Sequence, residues 1–229
     1  MKTEKKMLGI GMTQANVPKV MSGAKTQTRR TVKFCKLNED YGSPVVDECF
    51  VDLSYKEPQF GNVPCLKVPF DGGRGGRTVH RHFPDYGVGD RLYVKEALEC
   101  KAWSPFTNVA AYKTDFKTVA GVDGVRLWES DDGKPWKNIV IPARYMPRTA
   151  ARTFIEITDV RCERVQDISE ADAHAEGIEI RENVSPDPNS PGSYVLPFID
   201  LWNDTNSEDA WERNDWVFAY TFKLTEAPQ

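Results

Sequence analysis

Apolar and polar positions alternate most regularly between Ala151 and Val165, where Thr153, Ile155 and Ile157 interleave with Arg152, Phe154, Glu156 and Thr158. A period of two rich in β-branched residues is what a half-buried strand requires. A helix start follows. Ser169 is placed to cap it, Asp172 sits three residues on as in a capping box, Ile168 can act as the hydrophobic staple, and Gly177 ends it. At the C-terminal end, Trp216, Phe218, Tyr220 and Phe222 fall on one face of a closing strand, and that stripe reads as a core face. Gly89-Asp90 reads as a turn opening another strand, with Leu92 and Val94 on one side and Tyr93 and Lys95 on the other. Near the start, Val17, Val20 and Met21 share one face of a short helix. Thr13 or Asn16 can cap it, Pro18 suits its first turn, and Gly23 stops it, so that Lys25 to Arg30 are expected on the loop beyond. Phe198, Leu201 and Trp202 mark a second amphipathic helix.

Between about 36 and 88 the pattern breaks down into short apolar runs separated by Gly42, Pro44, Pro58, Gly61, Pro64, Pro69, Gly72, Gly73, Gly75, Gly76, Pro84 and Gly87. This reads as a long irregular insertion carrying one or two small hairpins, and about 100–138 as a second insertion with strands near 108–116 and 124–129. Residues 130–138 and 181–193 read as loops. Strands outnumber helices and do not alternate with them as βαβ units. The expected architecture is α+β: a single domain over 1–229, with a mixed, mostly antiparallel barrel-like sheet flanked by short helices.

Composition narrows the function more than the fold. With 30 basic and 34 acidic residues the formal charge is −4, which argues against a protein that coats duplex DNA by net phosphate neutralisation. A local basic site remains open. No apolar run is long enough to span a membrane and the charged start is unlike a signal peptide, so a cytoplasmic protein with no membrane partner is expected. The five cysteines, at 35, 49, 65, 100 and 162, include no Cys-x-x-Cys pair and are expected to be free thiols.

The densest chemistry lies in Gly23-Ala24-Lys25-Thr26-Gln27-Thr28-Arg29-Arg30. Three cations and two hydroxyls within eight residues suit an anionic group, because guanidinium forks pair phosphate and hydroxyls donate to it. The same residues alone also describe a solvated basic turn. A Walker loop is excluded by the missing Gly-x-x-x-x-Gly-Lys spacing. A second basic stretch, Arg74-Gly75-Gly76-Arg77-Thr78-Val79-His80-Arg81-His82-Phe83, could stack on exposed bases and pair phosphates through Arg74, Arg77 and Arg81, or could be a mobile solvated loop. His80 and His82, even with Cys65 upstream, lack the third and fourth ligands that a metal needs. No metal and no cofactor are expected. His174 reads as a packing or surface residue.

The run Gly23–Arg30 resembles the signature of ASCH domains, a branch of the PUA-like superfamily. The resemblance extends to Gly89-Asp90-Arg91-Leu92-Tyr93-Val94-Lys95-Glu96 and Met146-Pro147-Arg148-Thr149-Ala150-Ala151-Arg152. It continues in Val165 to Gly177, Phe198 to Trp202, and Trp211 to Phe222. Together these are similar to the long ASCH-like proteins of bacteriophages and prophages, which would put the chain in a host cytoplasm. The match covers both ends and most of the second half, and leaves out 36–88 and 100–138. It implies a PUA-like β-barrel with the basic loop at the mouth of a cleft. It also implies a hydrolase acting on a modified nucleoside or RNA base, since some small ASCH proteins are amidohydrolases that remove the acetyl group of N4-acetylcytidine. Carried over residue by residue, the catalytic lysine and threonine are Lys25 and Thr28. The carboxylate is Glu176, with Glu179 nearby, or Glu96 on the Gly-Asp strand. Thr26, Arg29 and Arg30 would grip a phosphate or an exocyclic group. The signature departs from the short amidohydrolases in its Thr-Arg-Arg, where those carry one arginine after an apolar residue. The alternatives are a non-catalytic module binding RNA or a nucleotide through the same loop, and a ribonuclease.

Overall fold

The computed structural model describes residues 7–32, 42–44, 48–53, 56–57, 61–62, 64–73, 76–104, 107–119, 140–181 and 192–227. Within these, 42–44, 56–57, 61–62, 71–73, 76–77, 100–104 and 107–109 are described by their backbone alone. Strand β1 (Leu8–Gly11) leads through helix α1 (Asn16–Met21) to β2 (Gln27–Thr31). Then come β3 (Gly42–Pro44), β4 (Phe50–Asp52), β5 (Lys56–Glu57), β6 (Gly61–Asn62), β7 (Cys65–Gly73) and β8 (Gly76–His82). These are followed by β9 (Arg91–Lys95), β10 (Leu98–Ser104), β11 (Thr107–Tyr112), β12 (Val140–Ile141) and β13 (Phe154–Arg164). Helices α2 (Glu170–Ala175) and α3 (Val195–Asn206) and strand β14 (Trp216–Thr225) complete the chain. The architecture is α+β, dominated by sheet with few helices. No helix among the described residues is long and apolar enough to cross a membrane.

The chain divides into two units, the first made of residues 1–24, 91–156 and 223–229. In it β1 runs parallel to β9, with Leu8 opposite Leu92 and Ile10 opposite Val94, and β13 pairs antiparallel to β9, with Ile155 opposite Leu92. The alternation expected of Leu92 and Ile155 therefore builds one buried face. A second sheet has the order β11-β10-β12, and Leu98, Ala110, Tyr112, Val119, Ile141, Met146 and Ala150 pack together over it. Helix α1 buries Val17 and Val20 as its spacing predicts and ends where Gly23 takes φ 78°. Its start differs from expectation. Neither Thr13 nor Asn16 caps through a side chain; the Thr13 carbonyl instead accepts from the backbone N–H groups of Asn16 and Val17.

The second unit, residues 25–90 and 157–222, contains the strand run β13-β14-β2. Two expectations are corrected here. Lys25 to Arg30 do not form a loop throughout, because Gln27 to Thr31 pair antiparallel with β14, Thr28 opposite Tyr220 and Arg30 opposite Phe218. Nor is the closing strand covered on one face only. Val217 and Ala219 are as buried as Phe218 and Tyr220, because Val217 packs with Val165, Ile168, Ala173, Phe198 and Trp202 while Trp216 leans on another cluster. Helix α2 starts as read, with Ser169 Oγ accepting from the Asp172 N–H and Gly177 at φ 79°. In α3, Phe198 and Trp202 are buried but Leu201 is exposed, so the apolar stripe is narrower than expected.

Among its described residues, the stretch expected to be an irregular insertion is largely sheet. β7 is its centre, with β3 and β4 along one edge and β8 along the other. Leu66, Val68 and Phe70 of β7 form a buried cluster with Val51, Cys49, Cys162 and Trp216 against it. Several of the punctuating glycines lie inside paired strands, Gly42 opposite Gly72 and Gly73 opposite Gly76, rather than breaking them. The strand expected at 124–129 and the loop at 130–138 lie outside the described residues, as does nearly all of 181–193.

Candidate active site

Strand β2 begins under α2, where the Thr26 N–H donates to the Ala175 carbonyl at 2.8 Å. On the other side of the same residue, the Phe222 N–H donates to the Thr26 carbonyl, also at 2.8 Å. These two bonds fix Lys25 beside the last turn of α2. Its ammonium donates to Glu176 Oε2 at 2.5 Å and to the Glu176 carbonyl at 2.8 Å. Both side chains are buried, 3% and 7% exposed.

Alternation along β2 then turns Gln27 and Arg29 to one side and Thr28 and Arg30 to the other. Arg29 Nη1 donates to Gln27 Oε1 at 2.6 Å and to Glu176 Oε1 at 3.2 Å. Its Nη2 donates to Glu163 Oε1 at 2.7 Å and lies 3.4 Å from Asp172 Oδ2. Arg161, two residues from Glu163 on β13, closes the ring by donating to Asp172 Oδ1 at 2.8 Å and approaching Glu163 Oε2 at 3.4 Å. Lys25, Arg29 and Arg161 thus meet Glu163, Asp172 and Glu176, three cations against three carboxylates. Asp159 adds a weaker contact to Arg161 at 3.7 Å on the outside.

Removing such charges from water is costly, and only mutual pairing with good hydrogen bonds offsets it. Asp172 records the balance. Burial alone would raise its carboxyl, but hydrogen bonds from Arg161 and Gln27 and the charges of Arg161 and Arg29 outweigh that and hold it at about 2.

Of the residues singled out by sequence, the structure brings Lys25, Arg29 and Glu176 into one network. Arg29 does not face outward to an anion. Its side chain is 0% exposed, because β2 is a strand and residue 29 falls on its covered side. Thr28 is buried on the opposite side of β2, Thr26 is half-buried, Arg30 is exposed, and Glu179 is exposed beyond α2. Glu96 belongs to the first unit. There Arg152 holds both of its oxygens, at 2.8 and 2.7 Å, donates to Asp115 at 2.7 Å, and stacks 3.7 Å over the Tyr112 ring. Arg81 is exposed on β8, Arg77 is described by backbone alone, and Arg74 lies outside the described residues. His80 stands edge-on to the buried Phe70 ring at 4.8 Å.

Sequence reasoning missed Gln27, Arg161, Glu163 and, in this role, Asp172. The capping-box reading gave Asp172 a local role, yet its carboxylate faces Gln27 and Arg161. The available signal was spacing. Gln27 and Arg29, and Arg161 and Glu163, are two apart on strands, while Asp172 and Glu176 are four apart on a helix, so each pair presents polar groups in one direction.

Compared with known proteins, the chain matches no family model, no curated protein and no solved structure.

Proposed function

We propose that this network is the catalytic centre of an amidohydrolase that removes an acyl group from a modified nucleobase, in the manner that the ASCH resemblance implies. The PUA-like barrel is part of the same proposal. The observation that carries it is the buried contact of Lys25 with Glu176 at 2.5 Å, backed by Arg29 on the second carboxylate oxygen. A lysine so held is oriented to one direction, with a carboxylate oxygen and a carbonyl fixing its ammonium, the placement that general acid–base catalysis requires of its groups.

In this reading water attacks the acyl carbon, losing a proton to the Lys25–Glu176 pair; the amide C–N bond breaks, and the pair returns that proton to the departing exocyclic amine, leaving the acyl group as its free acid. Thr28, which β2 turns to its opposite side, takes no part in this step. Burial of Arg29 among carboxylates weighs against the alternative in which Lys25, Arg29 and Arg30 form a phosphate clamp, since a guanidinium already bonded to Glu163 and Glu176 has little left to offer an anion.

The test is mass spectrometry of acylated cytidines and of modified RNA incubated with the protein, with Lys25→Ala, Thr28→Ala and Glu176→Gln in parallel. Loss of the acyl mass with wild type and Thr28→Ala, and its absence with Lys25→Ala and Glu176→Gln, is the expected result. Unchanged substrates alongside salt-sensitive RNA binding would replace the proposal with a recognition module, and cleavage of unmodified oligonucleotides would replace it with a ribonuclease.

A further inference from the structure

Residues 143–150 of the first unit carry cations that do not belong to the candidate active site. Two short 3-10 turns, Ala143–Tyr145 and Arg148–Ala150, flank Met146 and Pro147. Met146 and Ala150 are buried in the cluster over the β11-β10-β12 sheet. The Glu96 N–H donates to Met146 Sδ at 3.1 Å, and the Tyr112 hydroxyl donates to the Ala150 carbonyl at 2.8 Å. With those two residues turned inward and tied, Arg144, Tyr145, Arg148 and Thr149 are left exposed. Lys95 is set beside them by a gap in β1. Gly9 lies opposite Tyr93, and a Cβ there would collide with Lys95 Cε and Tyr93 Cζ. The lysine stem and the ring therefore lie over the glycine, the ammonium 5.6 Å from the Tyr93 ring centroid and donating to the Arg144 carbonyl at 3.3 Å. The Arg144 guanidinium in turn stands 4.9 Å from the Tyr145 ring centroid.

Among the described residues, no carboxylate pairs with Lys95, Arg144 or Arg148. Other cations of this unit do have one. Arg91 and Lys223 share Glu156, Arg152 holds Glu96 and Asp115, and Lys117 reaches Asp115. A fixed group of cations without counter-charges favours an anionic partner. The formal charge of −4 limits how large that partner can be. An extended polyanion would run off three cations onto an acidic surface, whereas a short acidic segment would not. Carboxylates also fit guanidinium forks bidentately. Tyr145, 51% exposed between two arginines, completes the residue types that dominate the binding energy of protein–protein contacts.

We propose that Lys95, Arg144, Tyr145 and Arg148 dock a short acidic segment of a partner protein, its carboxylates on the three cations and an apolar side chain against the Tyr145 ring. This interaction goes beyond the deacylation reading and does not depend on it.

Fluorescence anisotropy on the full chain tests it. The probe is a labelled peptide of glutamates around a central leucine, with its glutamine counterpart as control and an oligouridylate as competitor. Circular dichroism confirms the fold of each variant. Arg148→Gln should weaken binding about two- to fivefold, the range of one exposed ion pair. Arg144→Gln combined with Arg148→Gln should weaken it about tenfold and flatten its dependence on salt. Tyr145→Ala should cost about fivefold or more. Gly9→Ala displaces Lys95 without changing the charge and should also weaken binding. Arg213→Gln, which removes one charge from the second unit, should bind as wild type does. No binding by wild type, equal binding by the double variant, or equal binding of the glutamine peptide would each overturn the proposal. Displacement of the peptide by oligouridylate at lower concentration than by unlabelled peptide would overturn it too, in favour of a nucleic-acid surface. The readout needs no turnover, so it stands if the chain deacylates nothing.

Discussion

The two units each bury a glutamate against an arginine, and they do so in chemically different ways. In the first, one guanidinium takes both oxygens of Glu96 through a bidentate fork, uses its remaining Nη1 on Asp115, and rests on the Tyr112 ring. In the second, Glu176 divides its oxygens between a guanidinium and an ammonium. Arginine does not give up its proton under any condition a protein meets, whereas lysine can. On the proposed reading, the Glu96 cluster is an anchor and the Glu176 cluster the reactive one, and the identity of the cation is what distinguishes them.

The sharpest way to break this comparison is on turnover. Lys25→Ala or Glu176→Gln should lower kcat/KM on the acylated nucleoside by at least a hundredfold, while Glu96→Gln should leave turnover per folded molecule within about twofold. A hundredfold loss in Glu96→Gln would place that carboxylate in the chemistry and erase the distinction.

Next in size is stability. Arg29→Ala leaves Glu163 and Glu176 short of a buried cation and should destabilise by about 3–5 kcal/mol in urea unfolding. Arg152→Ala strands Glu96 in the same way, and because Arg152 is itself partly exposed the loss should be smaller, about 2–3 kcal/mol. Equal losses would mean that the wider network around Arg29 adds nothing to the simple fork.

The smallest effect is the dependence on acid. Asp172 is depressed from an unfolded value near ~3.9 to about 2 in the fold. A depressed carboxyl contributes stability that is complete above its unfolded value and is lost as pH falls through the folded one. The contribution is about 2 kcal/mol, with the carboxylate 18% exposed, and it should disappear between about pH 4 and pH 2. Asp172→Asn should remove that part of the acid dependence in denaturation curves measured across this range. An unaltered acid limb would assign it to other carboxylates.

How far these features were legible in the sequence depends on whether their cause is local. The alternation at Ile155 and Ile157, the cap at Ser169 and the stop at Gly177 are set by neighbours within a few residues, and the structure has them as read. The burial of β2 was not legible. Gln27 and Arg29 are polar, and polar positions beside a glycine read as an exposed loop unless their partners are known. Those partners are 134 and 147 residues away for Arg29 and 145 for Gln27, beyond any periodicity. Lys25 was singled out by its motif. Glu176 could be named by resemblance, but the hydrogen bonds that separate it from Glu96 appear only in three dimensions. The strands over 42–82 were hidden for another reason. β3 to β6 are only two or three residues long, and glycines and prolines fall within β7 and β8 themselves, so the local pattern reads as broken.

The network of six charges also constrains how the sequence can drift. Each carboxylate and each cation in it answers to a partner on another segment, β2, β13 or α2. Substituting one leaves its partner stranded, so viable change at these positions comes in pairs: a cation and a carboxylate lost together, or a charge exchanged with its opposite. Lineages of this chain should carry the network whole, or have replaced it by apolar residues on all three segments at once.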